Sequence, residues 1–483
     1  MSVSPVHAET ASIAPTLGFS TLEREVVVDE LPLRGELPPW LLGSLLRTGP
    51  AKFEIGGQRM RHWFDGLAML HRFSISDGRV SYGNRFLESR SYRAAREQGR
   101  MVYGEFATDP CRSLFKRVQT LFSRNALPDN ANINVTKLGE RFIAMTETPL
   151  PVQFDAGTLR AADVRPYEAP GQLSTAHPHG DRHTGAMLNY AAKLGPTSSY
   201  RFFEVGPHET KPRVIGTLAV KEPAYMHSFG LTERWFVLAE FPFVVNPLAL
   251  ALSGRPYIEN YRWKPELGTR FTLVDRHSGK ATGGFHTDAC FAFHHINAYE
   301  DGEEVVVDMC ALPDATVIED LYLGRLRQGG QGSLSMSTPT RFRLGLADRS
   351  VSSQPLGECG LELPRINYAR CNERPYRYVW GNDVGDSGWF EQIVKLDTLE
   401  GSSRSFSQPG CYPGEPVFVA RPQAEREDDG VLLSVVLDAG AQSSFLLVLD
   451  AGDLHELARA EVPHHIPFGF HGQFARGTLG SGG

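Results

Sequence analysis

No two cysteines in this 483-residue chain stand at the spacing of a zinc ribbon or a redox pair. Cys111, Cys290, Cys310, Cys359, Cys371 and Cys411 are dispersed, so neither a disulfide framework nor a CxxC metal clip organises the fold. Reduced thiols in a cytoplasm are the expected state. Long apolar runs are missing too, and none is long enough to cross a bilayer. The first residues lack a basic start followed by an apolar stretch, so no secretory leader is expected. Basic clustering is absent: the formal net charge is -7 with the signs scattered, which excludes the basic stripe of a nucleic-acid-binding surface. Long helical periodicity is scarce, which leaves strands and turns.

What is present is 41% hydrophobic and 22% charged residues, ample for a large buried core. Residues 1–20, rich in Ala, Ser and Thr, are expected to form a disordered tail, and residues 21–483 a single catalytic domain. Within that domain one pattern recurs: an apolar strand, a turn containing Asp or Gly, and a second strand. It spans 73–82, 152–163, 202–218, 271–283, 341–356, 393–406 and 445–462. Seven such hairpins predict a repeat architecture with long insertions, and radial repetition of small antiparallel sheets gives a β-propeller. A pair of β-sandwiches is the alternative that the irregular spacing leaves open.

Two segments depart from the pattern. Over 113–124 the residues Leu114, Phe115, Val118, Leu121 and Phe122 recur at helical spacing, interleaved with Lys116, Arg117 and Arg124. Such a helix either lies in a membrane interface or caps the core. The run 241–252 carries Pro242, Asn246 and Pro247, which predicts a loop lining an apolar entrance. Together the two suggest a lipophilic substrate drawn from a membrane.

Histidine supplies the chemistry. His177, His227, His294 and His471 each lie in a segment flanked by aromatic residues or proline at the edge of a predicted strand, where a propeller would turn them towards its axis. Their neighbours His179, His295, His464 and His465 compete for the same role. Imidazole suits zinc, copper and ferrous iron alike. Ligands drawn from distant segments favour a site imposed by the fold, with open positions of the kind non-haem iron uses for dioxygen. Four neutral rings would leave the ion's charge uncompensated, so carboxylates that accept the ring N–H groups are expected nearby. Glu147, Glu362 and Glu415, set in apolar or turn segments, are the candidates, with solvent-exposed turn positions as the alternative.

These residues fall in motifs that resemble the carotenoid cleavage oxygenase family from about Leu31 to Phe474. They are Arg47-Thr48-Gly49-Pro50, Trp63-Phe64-Asp65-Gly66, Thr146-Glu147-Thr148, Ala176-His177-Pro178, Met226-His227-Ser228-Phe229, the run from Phe293 to Asp301, and Phe470-His471-Gly472. The branch with animal carotene oxygenases and the retinal pigment epithelium isomerase is the most similar, through Asp129-Asn130-Ala131 and the run from Glu362 to Asn367. The resemblance implies an all-β, seven-bladed β-propeller with a helical and loop cap over an axial Fe(II) site. It selects His177, His227, His294 and His471 as ligands over their neighbours, and Glu147, Glu362 and Glu415 as acceptors for three of the four rings. It also implies that 113–124 forms a membrane-dipping patch, and that Ile133 and Phe293 line the substrate space. Stilbene-cleaving members use a lysine and a tyrosine against a phenol; the matching stretch 128–135 has no lysine. The implied activity is oxidative cleavage of an apolar polyene by dioxygen, centrally and with retinal as product. Stilbene cleavage and retinoid isomerisation are the alternatives. The implied place is the cytoplasm, peripheral on the inner face of a membrane.

Overall fold

The computed structural model describes residues 15–109, 127–328 and 334–477. Seven antiparallel sheets succeed one another along the chain and form the blades of a β-propeller. Blade 1 is built on Gly43–Lys52, Leu67–Ser76 and Arg79–Phe86, and blade 2 on Asn134–Leu138, Arg141–Met145 and Val152–Phe154. Blade 3 runs from Leu173 to Val220, blade 4 from Gly230 to Thr287, blade 5 from His295 to Pro355, blade 6 from Glu362 to Ser407 and blade 7 from Cys411 to Glu461. The ring is closed from both ends of the chain. The last strand, Gly472–Arg476, pairs antiparallel with Gly43–Lys52 as the innermost strand of blade 1 (Arg47 opposite Gly472). Near the start, Leu33–Gly35 adds to the outer edge of blade 7, with Leu33 opposite Ala460.

Burial follows position in the blade. Trp235–Glu240 and most of Gly43–Lys52 are buried throughout, because a middle strand is covered on both faces by neighbouring blades. Outer strands such as Arg213–Val220 alternate between exposed and buried, as expected where one face meets water.

All seven predicted hairpins are the outer halves of the seven blades, and their turns show why the signal was readable. Between Leu67–Ser76 and Arg79–Phe86 the two turn residues Asp77 and Gly78 have φ of 49° and 71°, the left-handed pair that a tight hairpin needs. In five of the other six an aspartate folds the turn onto itself. Asp155 accepts from the Thr158 amide, Asp275 from His277 and Ser278, Asp348 from Ser350, Asp397 from Leu399 and Glu400, and Asp450 from Gly452 and Asp453. In blade 2 the second strand of the hairpin shrinks to a single bridge, Phe154 to Ala161.

Two expectations change. The tail is ordered at least from Pro15: Pro15–Phe19 forms a 3-10 turn, and the buried Phe19 ring packs edge-on to Trp389 and Phe468 with centroids 4.9 and 5.1 Å away. The run 241–252 is not a loop. Phe243–Val245 is a strand, and Pro247–Leu252 is a short helix whose first two free amides are taken by the Asn246 side chain. Pro247 opens that helix instead of breaking it, since the first turn needs no N–H from it. The stretch 113–124 lies outside the described residues.

Candidate metal centre

Each blade begins near the axis, and the residue at that point decides the chemistry. Taken from blade 1 to blade 7, those positions carry His471, Ile133, His177, His227, His294, Glu362 and Glu415. Each stands just before its inner strand, within it, or between its two short segments.

The four predicted histidines meet. Their ligand nitrogens all lie within 4.8 Å of one another. His177 Nε2 is 3.1 Å from His227 Nε2, and His294 Nε2 is 3.1 Å from His471 Nε2. Most ring pairs stand edge to face, with the His177 and His471 centroids 4.5 Å apart, while His177 and His227 are tilted at 47°.

All three predicted glutamates are there, and the structure settles their pairing. His227 Nδ1 donates to Glu147 at 2.6 Å, His294 Nδ1 to Glu362 at 2.6 Å, and His471 Nδ1 to Glu415 at 2.7 Å. His177 has no carboxylate partner among the described residues; its amide donates to Thr175 Oγ1. Glu362 owes its aim to a bulge. The register slips between Glu362 and Arg365, and Leu363 takes a left-handed φ of 50°, so that its amide donates to the Glu362 side chain. A branched residue in that conformation costs about 1–3 kcal/mol, held here by the packed strand around it.

These hydrogen bonds fix the rings' protons. A carboxylate only accepts, so Nδ1 of His227, His294 and His471 carries the hydrogen and Nε2 presents a lone pair. Two lone pairs 3.1 Å apart, as on His294 and His471, repel unless a cation sits between them. Charging the rings is the other remedy, and burial opposes it. It pushes His471 down to about 4 and His177 well below the usual imidazole range, with the neighbouring rings adding to both shifts. His227 is lowered for the same reason. Glu415 stays a carboxylate: burial pushes it up, but Arg365 and His471 outweigh this and hold it at about 2. Nitrogens about 2.1 Å from one ion and at right angles stand about 3.0 Å apart, close to the spacing found. The donor set fits a divalent metal ion.

The competing histidines are engaged elsewhere. His179 bonds the Tyr368 hydroxyl and the Phe229 carbonyl, both at 3.0 Å, His295 bonds Ser228 Oγ at 2.8 Å, and His464 bonds the His465 carbonyl at 2.7 Å.

A largely apolar cavity of about 180 Å³ reaches this site through Glu147, the carboxylate behind His227. Phe64, Ile133, Thr146 and Glu147 line it together with Leu250, Ala251, Arg255 and Tyr257. Asp109 and Leu127, which flank the undescribed stretch that includes 113–124, also line it. Ile133 is on the wall, whereas Phe293 is not among the lining residues and packs with its ring 5.1 Å from that of His227 and 5.9 Å from that of Phe64. The reading of the sequence missed Tyr225, whose hydroxyl donates to Glu147 at 2.8 Å, and Arg365, which pairs with Glu415 at 2.8 Å. Arg365 falls inside a motif of the resemblance, but nothing in the sequence says what it touches.

If Glu362 acts through His294, a Glu362→Gln variant should lose about 10–100-fold in metal affinity, measured by competition with a chelator. Unchanged affinity would mean the hydrogen bond does nothing for ligation.

A family model described as "Retinal pigment epithelial membrane protein" matches residues 19–476. The mitochondrial carotenoid-cleaving dioxygenase of Macaca fascicularis is 34% identical, across 91% of this chain and 90% of that protein. The carotenoid isomerooxygenase of Galleria mellonella is 36% identical across 92% of each, and the β,β-carotene 15,15′-dioxygenase of Mus musculus 36% across 91% and 88%. Among solved structures, a mutant of Synechocystis apocarotenoid oxygenase superposes with a TM-score of 0.85 at 27% identity, covering 95% of this chain and 98% of that one. The cobalt-substituted form of that oxygenase gives a TM-score of 0.84 at 27% identity over the same shares.

Proposed function

The chain belongs to the retinal pigment epithelial membrane protein family of carotenoid oxygenases, and from that premise we propose that it is an Fe(II) dioxygenase cutting the central 15,15′ double bond of β-carotene or an apocarotenal, with retinal as a product. One observation carries this reading: four histidine nitrogens, three of them with a proton-fixing carboxylate behind them, converge next to an apolar cavity whose wall includes Glu147, the partner of His227.

In this reading His177, His227, His294 and His471 hold the metal. Glu147, Glu362 and Glu415 keep three rings in one tautomer and supply negative charge. Bound iron would supply the activation of dioxygen, whose two atoms end in the two carbonyls that replace the carbon–carbon double bond. The cavity's part is to orient the polyene and exclude water. Ile133, buried where four other blades place a histidine, gives the site an apolar side facing that space. No lysine lines the cavity among the described residues, which favours a polyene over a phenolic stilbene. The exposed Leu248 and Leu252, 67% and 55% accessible on the helix that carries Leu250 and Ala251, support peripheral contact with a membrane, and the side we propose is the cytoplasmic one.

The test incubates purified iron-loaded protein with β-carotene, apocarotenals and resveratrol under ¹⁸O₂, with products identified by mass. Retinal and its partner carbonyl, both labelled, are expected. Shorter apocarotenals or ionones in place of retinal would overturn the choice of bond, and phenolic aldehydes from resveratrol the choice of substrate. Isomerisation of a retinyl ester without dioxygen, with no cleavage in air, would replace the oxygenase reading with an isomerase.

A further inference from the structure

The three glutamates behind the histidines are not equivalent, and one arginine makes the difference. Glu362 receives both the His294 ring and the Leu363 amide on a single oxygen, while its other oxygen is buried without a donor among the described residues. Glu147 is met by two neutral donors on one oxygen, the His227 ring and the Tyr225 hydroxyl. Glu415 has both oxygens engaged. Oε1 takes the His471 proton, and Oε2 takes the Gly472 amide at 2.9 Å and Arg365 Nη2 at 3.1 Å. Arg365 Nε stands 2.8 Å from Oε1, and Arg365 also donates to the Gly472 carbonyl. A second guanidinium, Arg47, is only 6% exposed and acts on the same carboxylate. Of the three glutamates, Glu415 alone is paired with a cation among the described residues.

A carboxylate that accepts the Nδ1 proton pushes electron density through the imidazole onto the metal and so favours its higher oxidation state. A guanidinium on that carboxylate draws part of the charge back. We propose that Arg365 is a positioning residue that orients Glu415 towards His471 and offsets its charge, which keeps the bound metal easier to hold in the reduced state than three uncompensated carboxylates would. His294, backed by the half-satisfied Glu362, is then the strongest donor of the three and His471 the weakest. The graded field matters because only ferrous iron binds dioxygen productively. This inference rests on the four histidines being metal ligands.

Arg365 also ties the closing strand to blades 6 and 7, so its charge must be separated from its hydrogen bonds. Arg365→Gln keeps a donor without charge, and Arg365→Lys keeps the charge with fewer donors. Wild type and both variants are loaded with iron anaerobically, and the reduction potential is followed by mediated titration of the ferric EPR signal. Thermal stability and cobalt affinity are measured in parallel. The Gln variant is expected to favour the ferric form about tenfold more than wild type, a drop of about 59 mV for one electron. The Lys variant should stay near the wild-type potential. A purely structural role would lower the stability of both and move neither potential. Equal potentials in wild type and the Gln variant, or the same fall in both variants, overturn the inference alone. Wild-type protein that binds neither iron nor cobalt overturns it together with the proposed function.

Discussion

An alanine at position 294 should cost more than about a hundredfold in metal affinity, beyond the upper end of what an outer partner costs, while an alanine at 295 should leave metal content intact. Catalysis at position 294 should fall by at least about a thousandfold in kcat/KM, roughly 4 kcal/mol of transition-state stabilisation, because the reaction has no other centre to fall back on. The neighbours differ only in where the chain turns them. His294 points Nε2 to within 3.1 Å of His471 and is backed by Glu362, whereas His295 begins the inner strand of blade 5 and bonds Ser228. His294→Ala also strands the Glu362 carboxylate, a loss of about 1–3 kcal/mol that the fold should survive. Metal per chain, circular dichroism and steady-state cleavage of one carotenoid check all of this. Full metal occupancy in His294→Ala, or a metal-free His295→Ala, would refute the ligand assignment.

Stripping the metal should loosen the molecule at one place first. His471 directly precedes Gly472–Arg476, and that strand forms a backbone ladder with one neighbour only, Gly43–Lys52, besides its side-chain bonds to blades 6 and 7. A metal held jointly by His471 and the histidines of blades 3, 4 and 5 staples the closing strand to the far side of the ring. At a free metal concentration of about a thousand Kd the linkage is worth about 4 kcal/mol, all lost to a chelator. Amide exchange in 472–476 should then rise well above that in Gly430–Asp438, a middle strand of blade 7. Uniform acceleration, or none, would count against the staple.

The metal-free protein should also be labile to acid. The His471 ring falls from its ordinary 6.5 to about 4 on folding because it is buried, so the unfolded chain binds more protons between those values. Its contribution is whole above pH 6.5 and disappears as the pH falls towards 4. Glu415, lowered from 4.5 to about 2, acts in the same sense in the next window down. Denaturation midpoints at pH 7, 5.5 and 4.5 should decrease in that order. Metal-free protein equally stable at pH 4.5 and pH 7 would contradict the burial of neutral rings.

Much of the fold was readable because its signals are short-range. Asp155, Asp275, Asp348, Asp397 and Asp450 each fold a turn within three residues of themselves, so a hairpin shows in sequence wherever such an aspartate falls between apolar runs. The misreadings arose where position outweighed residue type. Pro247 looked like a helix breaker yet occupies the first helical turn, where it does no harm. Phe19 sits in a segment of disorder-like composition but fills a slot among Trp63, Trp389 and Phe468 that long-range packing creates.

By itself the sequence determined the seven outer hairpins and the small pool of histidines and glutamates from which a metal site could be drawn, since both depend on residue type and local spacing. Motif likeness narrowed that pool to four rings and three carboxylates. Only the tertiary structure decided that Glu147 serves His227, Glu362 serves His294 and Glu415 serves His471, and that Arg365 pairs with the last of these glutamates. Those pairs join blade 2 to blade 4, blade 5 to blade 6, and blade 7 to the strand that closes blade 1. They exist only once the ring has closed, and no local pattern along a chain records which strands will face each other across an axis.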